Sequence, residues 1–166
     1  RGGCEYNEEE AGDMLTFKDF WDVIRPQWLP DYSRETFGAK VGDIDIKIMR
    51  TKHIPDSSLD WQSSFWSCGV IIDDRVFFTS DTRFDKDLVD YYESKFNFEA
   101  IFHDCQFFTG GVHASLEELK NLPAETKKKM LLTHYGDNWD EYEGKIKEYG
   151  FAGRALPHIF YSFEKK

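Results

Sequence analysis

Residues 101–138 read IFHDCQFFTGGVHASLEELKNLPAETKKKMLLTHYGDN, and this stretch decides the predicted fold. It contains two apolar runs that end in polar residues: Ile101-Phe102 leads into His103-Asp104, and residues 130–133 lead into His134. In an α/β domain the carboxyl ends of strands open into loops, where a rigid sheet can direct side chains at a ligand. The stretch therefore predicts a functional site along that edge of an α/β sheet.

Length and composition limit the class of protein. A chain of 166 residues is expected to form one domain, residues 1–166, with a substantial core. Its 31 acidic and 21 basic residues give a net charge of −10, which disfavours a long nucleic acid as partner because a polyanion is repelled. No apolar run approaches the roughly 20 residues that a membrane span needs, so we expect no membrane partner.

The start of the chain and its cysteines add further expectations. The chain begins at Arg1 without an initiator Met or a signal pattern, which indicates a fragment of a longer protein. Residues 1–13 form an acidic lead-in without periodicity. Cys4, Cys68 and Cys105 are odd in number and far apart, which argues against a disulfide framework and for the reducing cytoplasm.

The spacing of apolar residues predicts the elements of the front half. Residues 14–24 carry apolar side chains at helical spacing until Pro26, which predicts an amphipathic helix against the core. From Phe37 onward apolar and polar residues alternate, which is the pattern of a strand. Residues 41–43 then predict a hairpin turn, and residues 44–49 predict a strand that is half-buried through its isoleucines and runs toward a histidine.

Helices and strands alternate in the rest of the chain. A second hairpin is predicted with its turn at Asp73-Asp74. Asp85, Ser115 and Asn138 each precede an apolar-periodic run as helix caps, and residues 159–163 predict a final strand. A hairpin-rich front half followed by alternating strands and helices indicates an α/β domain with a mixed sheet.

Three predicted strand ends carry His53, Asp81 and His134. Imidazole and carboxylate groups are ligands of zinc, iron and manganese, and strand-end loops can bring residues distant in sequence to one point. The spacing alone leaves open that these are ordinary structural or surface residues, because the chain has no close histidine pair such as HxxxH or HxH.

The motifs around these residues resemble those of a known superfamily. His53 in KHIPDSS, Asp81 in FFTSDTR and His134 in LLTHYGDN resemble the third, fourth and fifth metal-binding motifs of the metallo-β-lactamase superfamily, in order and in structural setting. The resemblance covers roughly residues 44–138.

Within that superfamily, the sequence is most similar to ribonuclease Z-like phosphodiesterases. HDCQ at 103–106 resembles their HEAT-like box, HAS at 113–115 resembles their HST-like box, and LTH follows at 132–134. The resemblance implies the C-terminal half of a metallo-β-lactamase-type αββα sandwich with a mixed sheet.

The same resemblance implies roles for five residues. His53 would bind the first of two divalent metal ions, His134 the second, and Asp81 would bridge them, with zinc expected ahead of iron or manganese. His113 would act on the phosphate as acid or electrostatic stabiliser, and Asp104 would orient its other ring nitrogen. The alternative is that Asp104 caps a turn and His113 lies in solvent.

The implied function is that of a metal-dependent hydrolase. It would be a phosphodiesterase that acts on a small nucleotide or short oligonucleotide through attack by metal-bound hydroxide. The superfamily's HxHxDH loop is absent from the 166 residues, so a missing N-terminal half carrying it is the expected partner, and this chain alone is expected to be inactive. A hydrolase of another ester, thioester or lactone and a non-catalytic interaction module of the same fold are the alternatives. The sequence leaves open whether the protein forms a homodimer.

Overall fold

The computed structural model describes residues 20–163 and contains one eight-stranded sheet. The strands follow one another across the sheet in chain order. They are β1 (Gln27–Trp28), β2 (Thr36–Val41), β3 (Ile44–Arg50), β4 (Cys68–Ile72), β5 (Val76–Phe78), β6 (Ala100–Asp104), β7 (Met130–Thr133) and β8 (Gly153–Arg154). The helices are α1 (Lys86–Phe96), α2 (Leu116–Leu119), α3 (Ala124–Lys127), a 3₁₀-helix (Trp139–Tyr142) and α4 (Glu143–Glu148).

The front of the sheet, from β1 to β5, is antiparallel. In the β2–β3 hairpin Val41 pairs with Ile44, and Gly42 turns the chain at a φ of +60°, where a residue without Cβ is favoured. In the β4–β5 hairpin Asp73 and Asp74 have φ values of +50° and +57°, a region that aspartate tolerates better than most residues. Both predicted hairpin turns are confirmed.

The back of the sheet, from β5 to β8, is parallel. The crossover from β5 to β6 contains α1, which begins after Asp85 because the Asp85 carboxylate accepts a hydrogen bond of 3.1 Å from the Leu88 N–H. Asn97 ends the helix in the left-handed region at a φ of +48°. The predicted α/β class with a mixed sheet is confirmed.

The core lies between one face of the sheet and the helices. Leu88 and Val89 of α1 and Ile101 of β6 are completely buried. The Phe77 ring of β5 has its centroid 6.0 Å from that of Tyr92 and 5.3 Å from that of Phe98. Each aromatic side chain removes about 150–250 Å² from water, so this cluster fixes α1 to the sheet.

The opposite face of the sheet is apolar but only half-buried. The pairing register places Phe37, Ile48, Val70 and Phe78 in one row across four strands. Side chains of neighbouring residues in a strand point to opposite faces, so this row lies on the face opposite to Phe77. All four side chains retain some exposure to solvent, in contrast to the buried face.

Two predictions for the ends of the described chain are wrong. Residues 14–19 of the predicted first helix lie outside the described residues, and residues 20–26 form no helix. Apolar side chains there, among them Phe20 and Ile24, are largely exposed, and a short segment without a buried face is a marginal helix in water. Residues 159–163 form no strand, because Gly153–Arg154 takes the position beside β7.

Two finer expectations also need correction. The side chain of β3 that is fully buried is that of Met49, whereas Ile46 and Ile48 lie on the half-buried face, because the register turns the isoleucines away from the helices. Asn138 makes no side-chain capping bond, since a 3₁₀-helix precedes α4.

Within residues 20–163, the structure contains no helix of the length and apolarity that crossing a membrane requires.

Substitution Leu88→Ala should lower the free energy of unfolding by about 2–5 kcal/mol, because it leaves a cavity under α1. Urea denaturation measures this change. The control is Leu59→Ala, since the Leu59 side chain is 87% exposed and its removal should cost about 0.5 kcal/mol or less. An equal decrease in the free energy of unfolding in the two variants would contradict the burial of Leu88 in the core.

Candidate metal and phosphate site

Five side chains meet at one edge of the sheet: His53, Asp81, Asp104, His113 and His134, here named the histidine–aspartate cluster. His53 follows β3, Asp81 follows β5, Asp104 ends β6 and His134 follows β7 directly. Strands β3, β5, β6 and β7 run in the same direction, so their carboxyl ends lie along one edge. His113 enters from the loop before α2.

Asp104 is the buried centre of the cluster, with 1% of its side chain exposed. Its Oδ2 accepts a hydrogen bond of 2.7 Å from the Thr82 N–H and lies 2.7 Å from His113 Nδ1. Its Oδ1 lies 3.2 Å from His134 Nδ1. Three partners satisfy the buried carboxylate, which removes most of the cost of taking it out of water.

Asp81 forms the exposed side of the cluster. Its Oδ1 lies 3.4 Å from His134 Nδ1, and its Oδ2 lies 4.0 Å from His53 Nε2. About half of the Asp81 side chain is accessible, at 51%. The carboxylate thus lies between two imidazoles and remains open to a ligand from solvent.

Hydrogen bonds define the tautomers of two histidines. His53 Nδ1 lies 2.8 Å from the Val112 carbonyl oxygen, which can only accept, so Nδ1 donates and the lone pair of neutral His53 is on Nε2. His113 Nδ1 donates to Asp104 in the same way. A histidine whose Nδ1–H is held by a carbonyl or carboxylate presents Nε2 in the form that metal ions bind.

The rings of the cluster lie close together. The centroid of the His113 ring is 5.2 Å from that of His53 and 4.4 Å from that of His134. Within residues 20–163, three ligand atoms, one each from Asp104, His113 and His134, all lie within 4.8 Å of one another. This group differs from the metal-ligand set predicted from sequence, which is His53, Asp81 and His134.

Two residues of the site loops have backbone conformations that cost free energy. Ser80, directly before Asp81, has a φ of +52°, and His134 has a φ of +59°. The left-handed region costs a residue other than glycine about 1–2 kcal/mol. Such conformations persist where the surroundings hold them, and they occur often at functional sites.

His103 lies beside the cluster but faces the core. It is fully buried, and burial lowers the pKa of its imidazole, which favours the neutral ring. Its Nδ1 lies 2.7 Å from the Asp104 carbonyl oxygen, and its Nε2 is buried without a hydrogen-bond partner among the described residues. The alternation along β6 places His103 on the face of Ile101, and this pattern is the sequence signal that separates it from the cluster.

Thr82 and Thr79 are site residues that the sequence reasoning missed. The Thr82 N–H holds Asp104 Oδ2, and Thr79 Oγ1 accepts a hydrogen bond of 3.0 Å from the Asp104 N–H. These contacts involve a backbone amide and a hydroxyl in a loop, and residue spacing gives no signal for them. The capping box of Ser115 and Glu118, in contrast, was predicted and is present.

Cys105, which follows Asp104, is not available as a nucleophile. It is completely buried, and desolvation raises the pKa of its thiol far above the usual range. The thiolate is the reactive form of cysteine, so this residue acts as a small apolar side chain in the core.

Comparison with known proteins assigns the chain to a family. The family model described as Anti-Pycsar protein Apyc1 matches residues 1–156. The chain belongs to the Anti-Pycsar protein Apyc1 family.

Relatives of the same name occur in phages and bacteria. An Anti-Pycsar protein Apyc1 from Bacillus phage BSP38 is 49% identical over 164 residues, which cover 96% of this chain and 58% of the relative. The protein of that name from Paenibacillus harenae is 42% identical over 60% of this chain and 38% of the relative. The one from Paenibacillus xerothermodurans is 27% identical, and the alignment covers 98% of this chain and 58% of the relative. The chain thus spans 58% of the length of the phage relative.

Membership of the Apyc1 family corrects the assignment made from sequence motifs. The placement in the metallo-β-lactamase superfamily, close to ribonuclease Z-like phosphodiesterases, is wrong, and so is the function drawn from it, that of a metallo-β-lactamase hydrolase. The physical reason is that short motifs at strand ends report the presence of imidazole and carboxylate groups, and not the family that carries them.

The expected partner is also corrected. The missing N-terminal half carrying HxHxDH was expected only from the superfamily placement, and this expectation falls with that placement, because the family model that matches residues 1–156 is that of Anti-Pycsar protein Apyc1.

Substitution Asp104→Ala should destabilise the protein by about 1–3 kcal/mol, because it leaves the Thr82 N–H and His113 Nδ1–H without their acceptor. The measurement is urea denaturation with a chelator present, so that only the polypeptide contributes. Asp81→Ala is the matched control, and it should cost about 0.5 kcal/mol or less because half of the Asp81 side chain is in solvent. A larger loss for Asp81→Ala than for Asp104→Ala would contradict the central position of Asp104.

Proposed function

We propose that this protein counters a defence system by degrading a cyclic nucleotide at the histidine–aspartate cluster. The observation that supports the proposal is the convergence of His113 and His134 on Asp104, with ligand atoms within 4.8 Å of one another. The relatives bear the name Anti-Pycsar protein, and several of them, such as that of Bacillus phage BSP38, come from phages, which supports an anti-defence role.

The charge of the chain supports a small substrate. At a net charge of −10 the chain repels a long nucleic acid, whereas a mononucleotide carries a single phosphate that one local site can neutralise. The cluster supplies imidazole groups that donate hydrogen bonds when protonated, and such donors stabilise phosphate oxygens.

The chemistry of the cluster fits a divalent cation, for which zinc, iron and manganese are the proposed identities. The Nε2 atom of His53 is the lone-pair nitrogen of its neutral ring, and Asp81 offers an accessible carboxylate. We assign cation binding to His53, Asp81 and His134, with Asp81 between the two imidazoles. Bound cations would neutralise charge on the phosphate and polarise its phosphorus.

His113 and Asp104 are assigned to the substrate. The Asp104 carboxylate holds Nδ1 of His113, which fixes the orientation of the ring. Degradation of a cyclic nucleotide joins a water oxygen to phosphorus and breaks one P–O bond of the ring, which leaves a linear nucleoside monophosphate. Nε2 of His113 donates a hydrogen bond to a phosphate oxygen, where it stabilises negative charge and can supply a proton to the oxygen that departs. Because Asp104 is buried, the pair is positioned before the substrate arrives.

The half-buried sheet face supports a proposal about architecture. The chain spans 58% of the length of the phage relative, and the row of Phe37, Ile48, Val70 and Phe78 is apolar and partly exposed. We propose that this face packs against a second sheet, which gives an αββα sandwich. The cytoplasm is the proposed compartment, because Cys68 and Cys105 are both free thiols.

The protein, purified without chelators, should degrade at least one 3′,5′-cyclic mononucleotide when the four common bases are compared. Chromatographic loss of the cyclic form measures this directly. A folded, cation-loaded protein that leaves all four substrates intact would refute the proposed function.

Substitution of single histidines separates the assigned roles. His53→Ala should lower the bound cation measured by elemental analysis. His113→Ala should retain it but slow degradation about 10²–10⁴-fold, the usual contribution of a group that transfers protons. His158→Ala is the matched control, because His158 is exposed and lies outside the histidine–aspartate cluster. Equal loss of cation in His53→Ala and His113→Ala would contradict the role given to His113.

A further inference from the structure

The loop between Asp104 and His113 presents an aromatic ring to solvent. Phe107 is buried and stacks on Tyr142, with centroids 4.2 Å apart and an interplanar angle of 5°. The next residue, Phe108, is 65% exposed. The loop therefore uses one ring to attach itself to the core and leaves the other free to contact a ligand.

Hydrogen bonds from two side chains to backbone carbonyl oxygens hold the loop that carries Phe108. The Gln106 amide donates hydrogen bonds to the carbonyl oxygens of Phe108, at 3.0 Å, and of Gly110. His53 Nδ1 donates to the Val112 carbonyl oxygen at 2.8 Å. The loop is thus tied at its start to Gln106 and at its end to a residue of the histidine–aspartate cluster.

Two glycines turn the chain between Phe108 and His113. Gly110 and Gly111 have φ values of +85° and +93°, a region where glycine is favoured, and these two residues reverse the chain. A Cβ on Gly111 would lie 3.8 Å from Cε2 of Phe108, so the ring lies against a backbone position two residues before His113. The exposed ring thus lies beside Gly111, and the next residue, Val112, is held by the hydrogen bond from His53 of the cluster.

We propose that Phe108 stacks on the base of the bound nucleotide. This inference rests on the proposed function and adds the residue that binds the non-reacting part of the substrate. The cluster can hold a phosphate by charge and hydrogen bonds, and the base is the part of a nucleotide that then requires a stacking surface beside it. Every nucleobase has a π-face, and stacking on an aromatic side chain contributes to binding with little preference for sequence.

The test compares Phe108→Ala, Phe108→Tyr and Phe160→Ala in the protein as purified. Phe160 is 97% exposed and belongs to the segment after β8, so it is the matched control for losing an exposed ring. Phe108→Ala should raise the KM for a cyclic mononucleotide about tenfold with a smaller change in kcat, since stacking contributes to binding the base. Phe108→Tyr should stay within about twofold of wild type because the aromatic face is kept.

Inorganic phosphate is the probe that lacks a base. Its inhibition constant should be the same in wild type and Phe108→Ala, because the ring contacts only the base. An unchanged KM in Phe108→Ala, or an equal weakening of phosphate binding, would overturn the inference while leaving the proposed function intact. If the wild type binds cyclic nucleotides without degrading them, the proposed function fails, and the Kd of Phe108→Ala still tests the stacking. A wild type that neither binds nor degrades them refutes both.

Discussion

The buried carboxylate of Asp104 is the interaction on which the site depends. It ends β6 and is held by the Thr82 N–H from the loop after β5, by His113 before α2 and near His134 after β7. One side chain thus contacts three loops that are distant in sequence. A buried carboxylate is costly without partners, so its burial favours the arrangement in which all three loops contact it.

The sequence predicted features that depend on local chemistry. Asp73-Asp74 and the turn at Gly42 were recognisable because both turns need residues that accept a positive φ. Four of the five cluster residues were also recognisable, since polar residues after apolar runs fall at strand ends. His113 lies before α2, and only its motif singled it out. The contact of the Thr82 amide with Asp104 could not be recognised from the sequence, because every residue except proline has a backbone N–H and its position depends on the folded loop.

The failed predictions share a physical cause. Residues 20–24 and 159–163 have the periodicity of a helix and of a strand, yet periodicity reports only that one side of an element is apolar. Whether that side is covered depends on the rest of the fold, and here Trp21 and Phe160 are exposed. Burial through tertiary packing, and not local preference, is the main source of stability for such short elements.

The proposed activity divides the substrate between two kinds of surface. In this proposal the histidine–aspartate cluster binds the phosphate and Phe108 binds the base. The measurement that tests the cluster most directly is anomalous X-ray diffraction at the zinc edge from crystals grown with zinc. The account predicts an anomalous peak at about 2.0–2.2 Å from Nε2 of His53 and an oxygen of Asp81, the usual zinc–ligand distances. A well-diffracting crystal with zinc elsewhere and no peak at the cluster would contradict it.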